Sequence, residues 1–292
     1  MQKANFFVAS IDPRGIGERV SESLGAPFVM PTVRTFSDGS LDVRIAASLV
    51  SKNTCLVHPI LDESSFMQAL LLLDALRAAG AKRILLCAPY LFYGRQGKSN
   101  LILQVLEKAG ADFVWTIDLH GTTEGTNSKK SHQNFYAVSL LASDLKSLFH
   151  NTENLLIVSP DRGGSARAAQ LAKTLGCVFV PCVKKRSAKA EITVQIQEGI
   201  TRKHCLIVDD MVDSGATLYA ASQALRQADA TAVDALVTHA VFSEKILSAS
   251  TLKLDRLFYT NTLNPGPRDP AESEVLDITR SLASKIQQFF SG

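Results

Sequence analysis

Short apolar runs alternate with amphipathic helical segments along nearly the whole of the 292 residues, and the series occurs twice. NFFVAS, TCLVHPIL, KRILLCAPY and ADFVWTIDLH read as strands, with IGERVSESLG, SSFMQALLLLDALRAAG and LILQVLEKAG as the helices between them. PFVMPTVRTF reads as extended chain, followed by a Ser37–Ser40 loop and the strand DVRIAAS. After the polar connection GTTEGTNSKKSHQ and a helix FYAVSLLASDLKSLF, the second series runs NLLIVSP, SARAAQLAKTLG, VFVPCVKK, ITVQIQE, CLIVDD, LYAASQALRQA, AVDALVTHAVF and LDRLFYT. Strands that alternate with helices cannot pair as hairpins; they form a mostly parallel sheet covered on both faces. The expectation is therefore an α/β protein of two similar domains, residues 1–142 and 143–292, each a mostly parallel sheet flanked by helices. The last helix, SEVLDITRSLASKIQQFF, is free to pack on either.

Composition narrows the class. Hydrophobic residues at 46% and charged residues at 20% describe a soluble globular chain. No apolar run approaches the roughly 20 residues of a membrane span, and the first residues lack the order of a secretory signal, so the expected place is the cytoplasm with no membrane partner. The formal charge of +3 is small and its basic residues are scattered, which calls for no nucleic acid. Five cysteines (Cys55, Cys87, Cys177, Cys182, Cys205), odd in number and mostly set in strand-like runs, read as reduced thiols.

The chemistry concentrates between Cys205 and Thr217, CLIVDDMVDSGAT. A buried strand ends in two adjacent carboxylates, Asp209 and Asp210, and Asp213-Ser214-Gly215-Ala216-Thr217 leads into a helix. In open α/β sheets ligands bind at that end of the strands, and a helix amino terminus offers N–H groups to an anion. Asp213, Ser214 and Thr217 suit helix caps, and Gly215 lets the backbone turn close to a ligand. Paired acids beside such a cradle suit a sugar phosphate: the acids take two neighbouring hydroxyls, and amides and hydroxyls take the phosphate.

This loop resembles that of type I phosphoribosyltransferases and of ribose-phosphate pyrophosphokinase, and by itself does not choose between them. Further stretches resemble the pyrophosphokinase family: Arg34-Thr35-Phe36-Ser37-Asp38-Gly39, PYLFYGRQ ending at Arg95-Gln96, Asp118-Leu119-His120, Ser159-Pro160-Asp161-Arg162-Gly163-Gly164, and Lys184-Lys185-Arg186 ahead of a strand. The resemblance implies a phosphoribosyltransferase-like fold and transfer of the diphosphoryl group of ATP to C1 of ribose 5-phosphate. It implies ATP contacts from Phe36, Asp38, Arg95 and Gln96, and Mg2+ at His120 and Asp161. Ribose 5-phosphate falls to Asp209, Asp210, Asp213, Ser214, Gly215, Ala216 and Thr217, and transition-state stabilisation to Lys184 and Arg186. Histidine is an unusual partner for Mg2+, which prefers oxygen, so residue chemistry alone makes His120 a phosphate donor or transition-metal ligand. A homo-oligomer built from dimers, up to a hexamer, is implied as well. The other readings are a catalytically weak regulatory homologue and a transferase that joins a base to phosphoribosyl pyrophosphate.

Four departures from the family pattern stand out. Ser40 replaces the usual Glu, and Gly97-Lys98-Ser99 replaces Asp and a basic run, shortening that loop by roughly two helical turns. Ser214-Gly215-Ala216-Thr217 carries its glycine one place earlier than the usual Thr-x-Gly-Thr. Gly121 to Asn127 replaces a Gln/Phe-rich segment that borders the family's phosphate or ADP regulatory site.

Overall fold

The computed structural model describes residues 5–11, 15–121, 131–181, 183–186, 192–195, 200–242, 249–263 and 272–292. Contacts divide the chain into two units, Met1–Phe135 together with Ile278–Gly292, and Tyr136–Asp277. The expected boundary was 142/143, with the last helix free to pack on either domain. The observed one falls seven residues earlier (142 − 135) and returns that helix to the first unit.

In the first unit the strands are β1 (Phe6–Ala9), β2 (Phe28–Val29), β3 (Thr32–Thr35), β4 (Leu41–Arg44), β5 (Asn53–Val57), β6 (Arg83–Ala88), β7 (Phe113–Ile117) and β8 (His132–Phe135). Its helices are α1 (Ile16–Leu24), α2 (Glu63–Ala78) and α3 (Ser99–Lys108). Six of the strands make one parallel sheet, ordered β2-β1-β5-β6-β7-β8, while β3 and β4 form a separate antiparallel hairpin. Local chemistry sets the helix ends. Asp62 and Ser65 close a reciprocal capping box at the start of α2, and Gly25 takes the left-handed conformation after α1.

The second unit repeats the plan. It opens with α4 (Ala137–Leu140) and α5 (Ala142–Leu148), then β9 (Leu155–Ser159), α6 (Ser165–Leu175), β10 (Val178–Pro181), β11 (Val183–Arg186), β12 (Ile192–Gln195), β13 (His204–Val212), α7 (Ala216–Gln227), β14 (Ala232–Ala240), β15 (Arg256–Thr260) and β16 (Ser273–Leu276). The parallel sheet is ordered β10-β9-β13-β14-β15-β16, with β11 and β12 as an antiparallel hairpin. Counting only sheet strands, both units run second, first, third, fourth, fifth, sixth, and both place the hairpin between second and third. The order reverses between β9 and β13, so the loops after those two strands diverge to opposite faces and leave a crevice.

Three local expectations change. FYAVSLLASDLKSLF is two short helices that meet at Leu141, where ψ rises to 12° and both Leu140 and Leu141 are buried. SEVL, expected at the start of the last helix, is the edge strand β16 paired with β15; the helix, α8, starts at Thr279 and runs to Ser291. CLIVDD extends through Val212 because β14 is equally long, so the two acids lie inside a strand rather than at its end.

The last helix finishes the first unit's core. Leu282, Ala283 and Ile286 are buried, and α8 packs along α1. The Phe290 ring stacks on Phe6 at 4.5 Å, and Phe289 meets Trp115 at 5.1 Å and Phe113 at 4.9 Å. Cys55, Cys87, Cys177 and Cys205 are free thiols, and burial pushes Cys87 up to about 12 and Cys205 up to about 11; Cys182 lies outside the described residues. Among the described residues no helix is long and apolar enough to cross a membrane.

Candidate active site

The crevice between β9 and β13 gathers the acids. Pairing between these strands stops at Val158 with Ile207, yet β13 continues beside β14 through Asp209, opposite Val237, and Met211, opposite His239. Asp209 and Asp210 therefore project past the end of β9, next to the loop that holds Asp161. Both are nearly buried, at 9% and 7% exposure, and the Asp210 N–H donates to Asp209 Oδ1 at 2.9 Å. Burial pushes the Asp209 carboxyl well above the usual carboxylate range, and the neighbouring Asp210 pushes the same way. Arg167 opposes that rise, and Asp161 adds to it.

The Asp161 loop is a tight turn fastened from inside. Ser159 Oγ donates to the Asp161 carbonyl at 2.6 Å, Ser165 Oγ donates to the same oxygen at 3.2 Å, and the Gly164 N–H donates to Asp161 Oδ1 at 3.1 Å. Gly164 is there for space: a Cβ would stand 2.8 Å from Ser159 Oγ and 3.5 Å from the Val208 carbonyl.

Past β13, Gly215 occupies the N-cap of α7 with φ +72°, a conformation that costs a residue with a Cβ. The glycine's shift along the loop thus has a backbone reason: the left-handed residue is the cap, and Ala216 is the first helical residue. The capping expected of Asp213 and Ser214 is corrected by one to two places, since both precede a cap that has no side chain. Thr217 lies in the first turn, where backbone N–H groups without intrahelical partners face outward. Among the residues expected to hold the sugar phosphate, the structure brings all seven to this strand end and helix start. Asp161 joins them from the adjacent strand.

In the first unit, Asp118 follows β7 in a left-handed conformation, φ +44°, and is wholly buried. A short polar network holds the turn. Asn134 Oδ1 accepts from the Leu119 N–H at 3.0 Å and from Thr116 Oγ1 at 3.0 Å, and the Asp118 N–H donates to the Phe135 carbonyl at 2.8 Å. His120 is thereby presented to solvent at the sheet's carboxyl end. Gly94 packs against it: a Cβ on Gly94 would lie 3.1 Å from His120 Cβ. The 3-10 turn Gly94–Gln96, which carries the exposed Arg95 and Gln96, is therefore a direct neighbour of His120.

Phe36 and Asp38 lie in the turn of the β3–β4 hairpin. Asp38 Oδ1 accepts from Ser40 N at 3.0 Å and Ser40 Oγ at 2.6 Å, and the Ser40 hydroxyl holds its carboxyl below the usual value. Phe36 is 46% exposed, with the Arg34 guanidinium 5.5 Å from its ring centre. Lys184 and Arg186 fall on β11, opposite Val194 and Ile192 of β12. His120 and Asp161, the two expected metal positions, belong to different units. Among the described residues no group of three or more His, Cys, Asp and Glu is arranged to hold a metal ion.

Arg167 was not foreseen. It occupies a stripe of α6 with Leu171 and Leu175, and a charge on an otherwise apolar i, i+4 row is the signal that marks it. Asn134 and Ser159, ordinary polar residues in sequence, carry no such signal.

Comparison with known proteins gives the family. Residues 7–110 match the N-terminal domain of ribose phosphate pyrophosphokinase, and residues 127–253 match the phosphoribosyl transferase domain. The ribose-phosphate pyrophosphokinase of Rhizobium meliloti is 35% identical over 268 residues, 86% of this chain and 85% of that one. That of Wolinella succinogenes is 32% identical over 307 residues, 99% and 97%. The crystal structure of phosphoribosylpyrophosphate synthetase from Mycobacterium smegmatis superposes with a TM-score of 0.82 at 25% identity, covering 98% of this chain and 99% of that one. With both domains matched and a third of the residues identical across most of the length, the chain belongs to the ribose-phosphate pyrophosphokinase family.

Proposed function

We propose that this protein transfers the diphosphoryl group of ATP to the C1 hydroxyl of ribose 5-phosphate, giving phosphoribosyl pyrophosphate and AMP. The observation that carries the reading is the pair of nearly buried acids, Asp209 and Asp210, beside the amino terminus of α7. Together with Asp161 from the neighbouring loop they line the crevice with carboxyl oxygens, which suits a ribose diol. Ribose 5-phosphate lies with its phosphate at Asp213 to Thr217, where helix N–H groups and hydroxyls converge, and its two ring hydroxyls at the acids.

Asp161 holds Mg2+ through oxygen, and His120 serves the ATP phosphates in the first unit. When bound, Mg2+ neutralises phosphate charge. Phe36 offers a ring face to the adenine, Asp38 accepts from its amino group, and Arg95 and Gln96 hold phosphate beside His120. Alignment of the C1 hydroxyl with the β-phosphorus is most of what this transfer asks of a protein. Lys184 and Arg186 offset the negative charge that moves onto the leaving oxygen, one as a point charge and one as a fork. The protein acts in the cytoplasm as a dimer-based homo-oligomer.

The test is formation of AMP and phosphoribosyl pyrophosphate from ATP, ribose 5-phosphate and Mg2+, run beside Lys184→Ala. Product in the wild type and a loss of about 100-fold or more in turnover, with ribose 5-phosphate affinity kept, supports the reading. A folded wild type that forms no product overturns it.

A further inference from the structure

The third residue of α6 is an arginine turned into the protein. The Arg167 side chain is 4% exposed, and charged groups enter an interior only against a counter-charge. The acid pair supplies it. Nη2 stands 3.9 Å from Asp210 Oδ2, and the same guanidinium is the cation that restrains Asp209. On another side the group lies over the Tyr136 ring, 5.6 Å from its centre, and Tyr136 is itself buried. Gly164 lies alongside: a Cβ there would stand 3.6 Å from Arg167 Nη1, in ordinary contact with it.

The distance matters as much as the charge. At 3.9 Å the arginine is an ion-pair partner of Asp210 and not a hydrogen-bond donor to it. A guanidinium that gripped the carboxylate with both forks would occupy the oxygen positions a sugar diol needs. Set back beyond hydrogen-bond range of Asp210 Oδ2, Nη2 offsets the charge without gripping that oxygen. The arginine comes from the first turn of a helix and its side chain is buried, so its position is fixed before the sugar arrives.

We infer that Arg167 is a positioning residue for the sugar: from the first turn of α6 it holds Asp209 and Asp210 in place as the pair that accepts two neighbouring hydroxyls of ribose 5-phosphate, without touching the sugar itself. The inference rests on the proposed synthetase activity. A purely structural arginine would affect stability and both substrates alike, whereas a positioning one acts on the sugar alone.

The experiment is calorimetric titration of ribose 5-phosphate, with Mg2+ and a non-hydrolysable ATP analogue, into the full-length wild type, Arg167→Met and Arg167→Lys. Steady-state kinetics follow, with each substrate varied in turn. Absence of binding in the wild type refutes the synthetase reading and with it this one. With wild-type binding present, Arg167→Met is expected to weaken ribose 5-phosphate by about 10- to 100-fold and leave the KM for ATP unchanged, while Arg167→Lys loses about threefold. Equal sugar affinity in wild type and Arg167→Met, or matched losses for sugar and ATP, overturns the inference and leaves the synthetase reading standing. Should Arg167→Met not fold, Arg167→Lys decides: a loss confined to the sugar supports the role, and none, or one shared with ATP, overturns it.

Discussion

Gly164→Ala is the smallest change that reaches the Asp161 loop. Its backbone, at φ −83° and ψ −9°, is open to alanine, so any cost comes from the added methyl. That methyl would stand 2.8 Å from Ser159 Oγ, with the next atoms, Val208 O at 3.5 Å and Arg167 Nη1 at 3.6 Å, at ordinary contact distance. Only the serine has to give. Ser159 is fully buried, and its hydroxyl donates to the Asp161 carbonyl, so swinging it away strands that carbonyl. Loss of a buried hydrogen bond together with slight overpacking comes to about 1–3 kcal/mol. Chemical denaturation followed by tryptophan-independent circular dichroism should show this loss, and turnover should fall as the Asp161 loop shifts. Ser159→Ala is the control that isolates the cause. Alone it should cost about 1 kcal/mol, but in the Gly164→Ala background it removes the clash, so the double variant should be more stable than Gly164→Ala. Strictly additive losses in this cycle would refute the clash as the mechanism.

Three other perturbations test separate parts. Asp209→Asn removes a carboxylate whose ionised form is disfavoured by burial and by Asp210; an acid with a raised value loses stability as pH rises above its unfolded range near 3.8, so at neutral pH the variant should melt higher in the absence of substrate while binding ribose 5-phosphate more weakly. At the opposite end of the same sheet Asp234, 1% exposed, accepts from His204 Nε2 at 2.8 Å and from Arg256 at 2.6 and 3.0 Å; burial would raise its carboxyl, but these partners outweigh it and hold it below 3.8. That stability is complete above the unfolded value and is lost as pH falls through the folded one, so Asp234→Asn should flatten the acid limb of a melting profile below pH 4. Ile286→Ala, in a fully buried position of α8, should destabilise by about 2–4 kcal/mol, read by denaturation, with loss from the first unit's transition and none from the second's.

The strand and helix alternation was legible because each buried strand of a parallel sheet is a near-continuous apolar run and each covering helix has one apolar stripe. Asp209, Asp210 and Gly215 were legible for a local reason, since strand, acids and helix start follow one another within thirteen residues. What the chain does not write locally was harder. SEVL became an edge strand because β15 offered a partner, and the length of β13 was set by β14, some twenty residues further on. Arg167 gave a signal that went unused, a charge on an apolar row, whereas Asn134 gave none: its worth comes from accepting two hydrogen bonds across 15 and 18 residues of sequence. Lys184 and Arg186 were assigned by resemblance, and the structure adds their strand register.

The return of α8 to the first unit has a consequence for synthesis. The second unit is one continuous segment, Tyr136–Asp277, and can fold as soon as it leaves the ribosome. The first unit, although translated first, lacks the helix that covers Phe6, Phe113 and Trp115 until the final fifteen residues emerge. Its apolar sheet face waits through the making of its neighbour. A truncated or stalled chain would therefore be recognised by its amino-terminal half, the older part of the molecule yet the last to be completed.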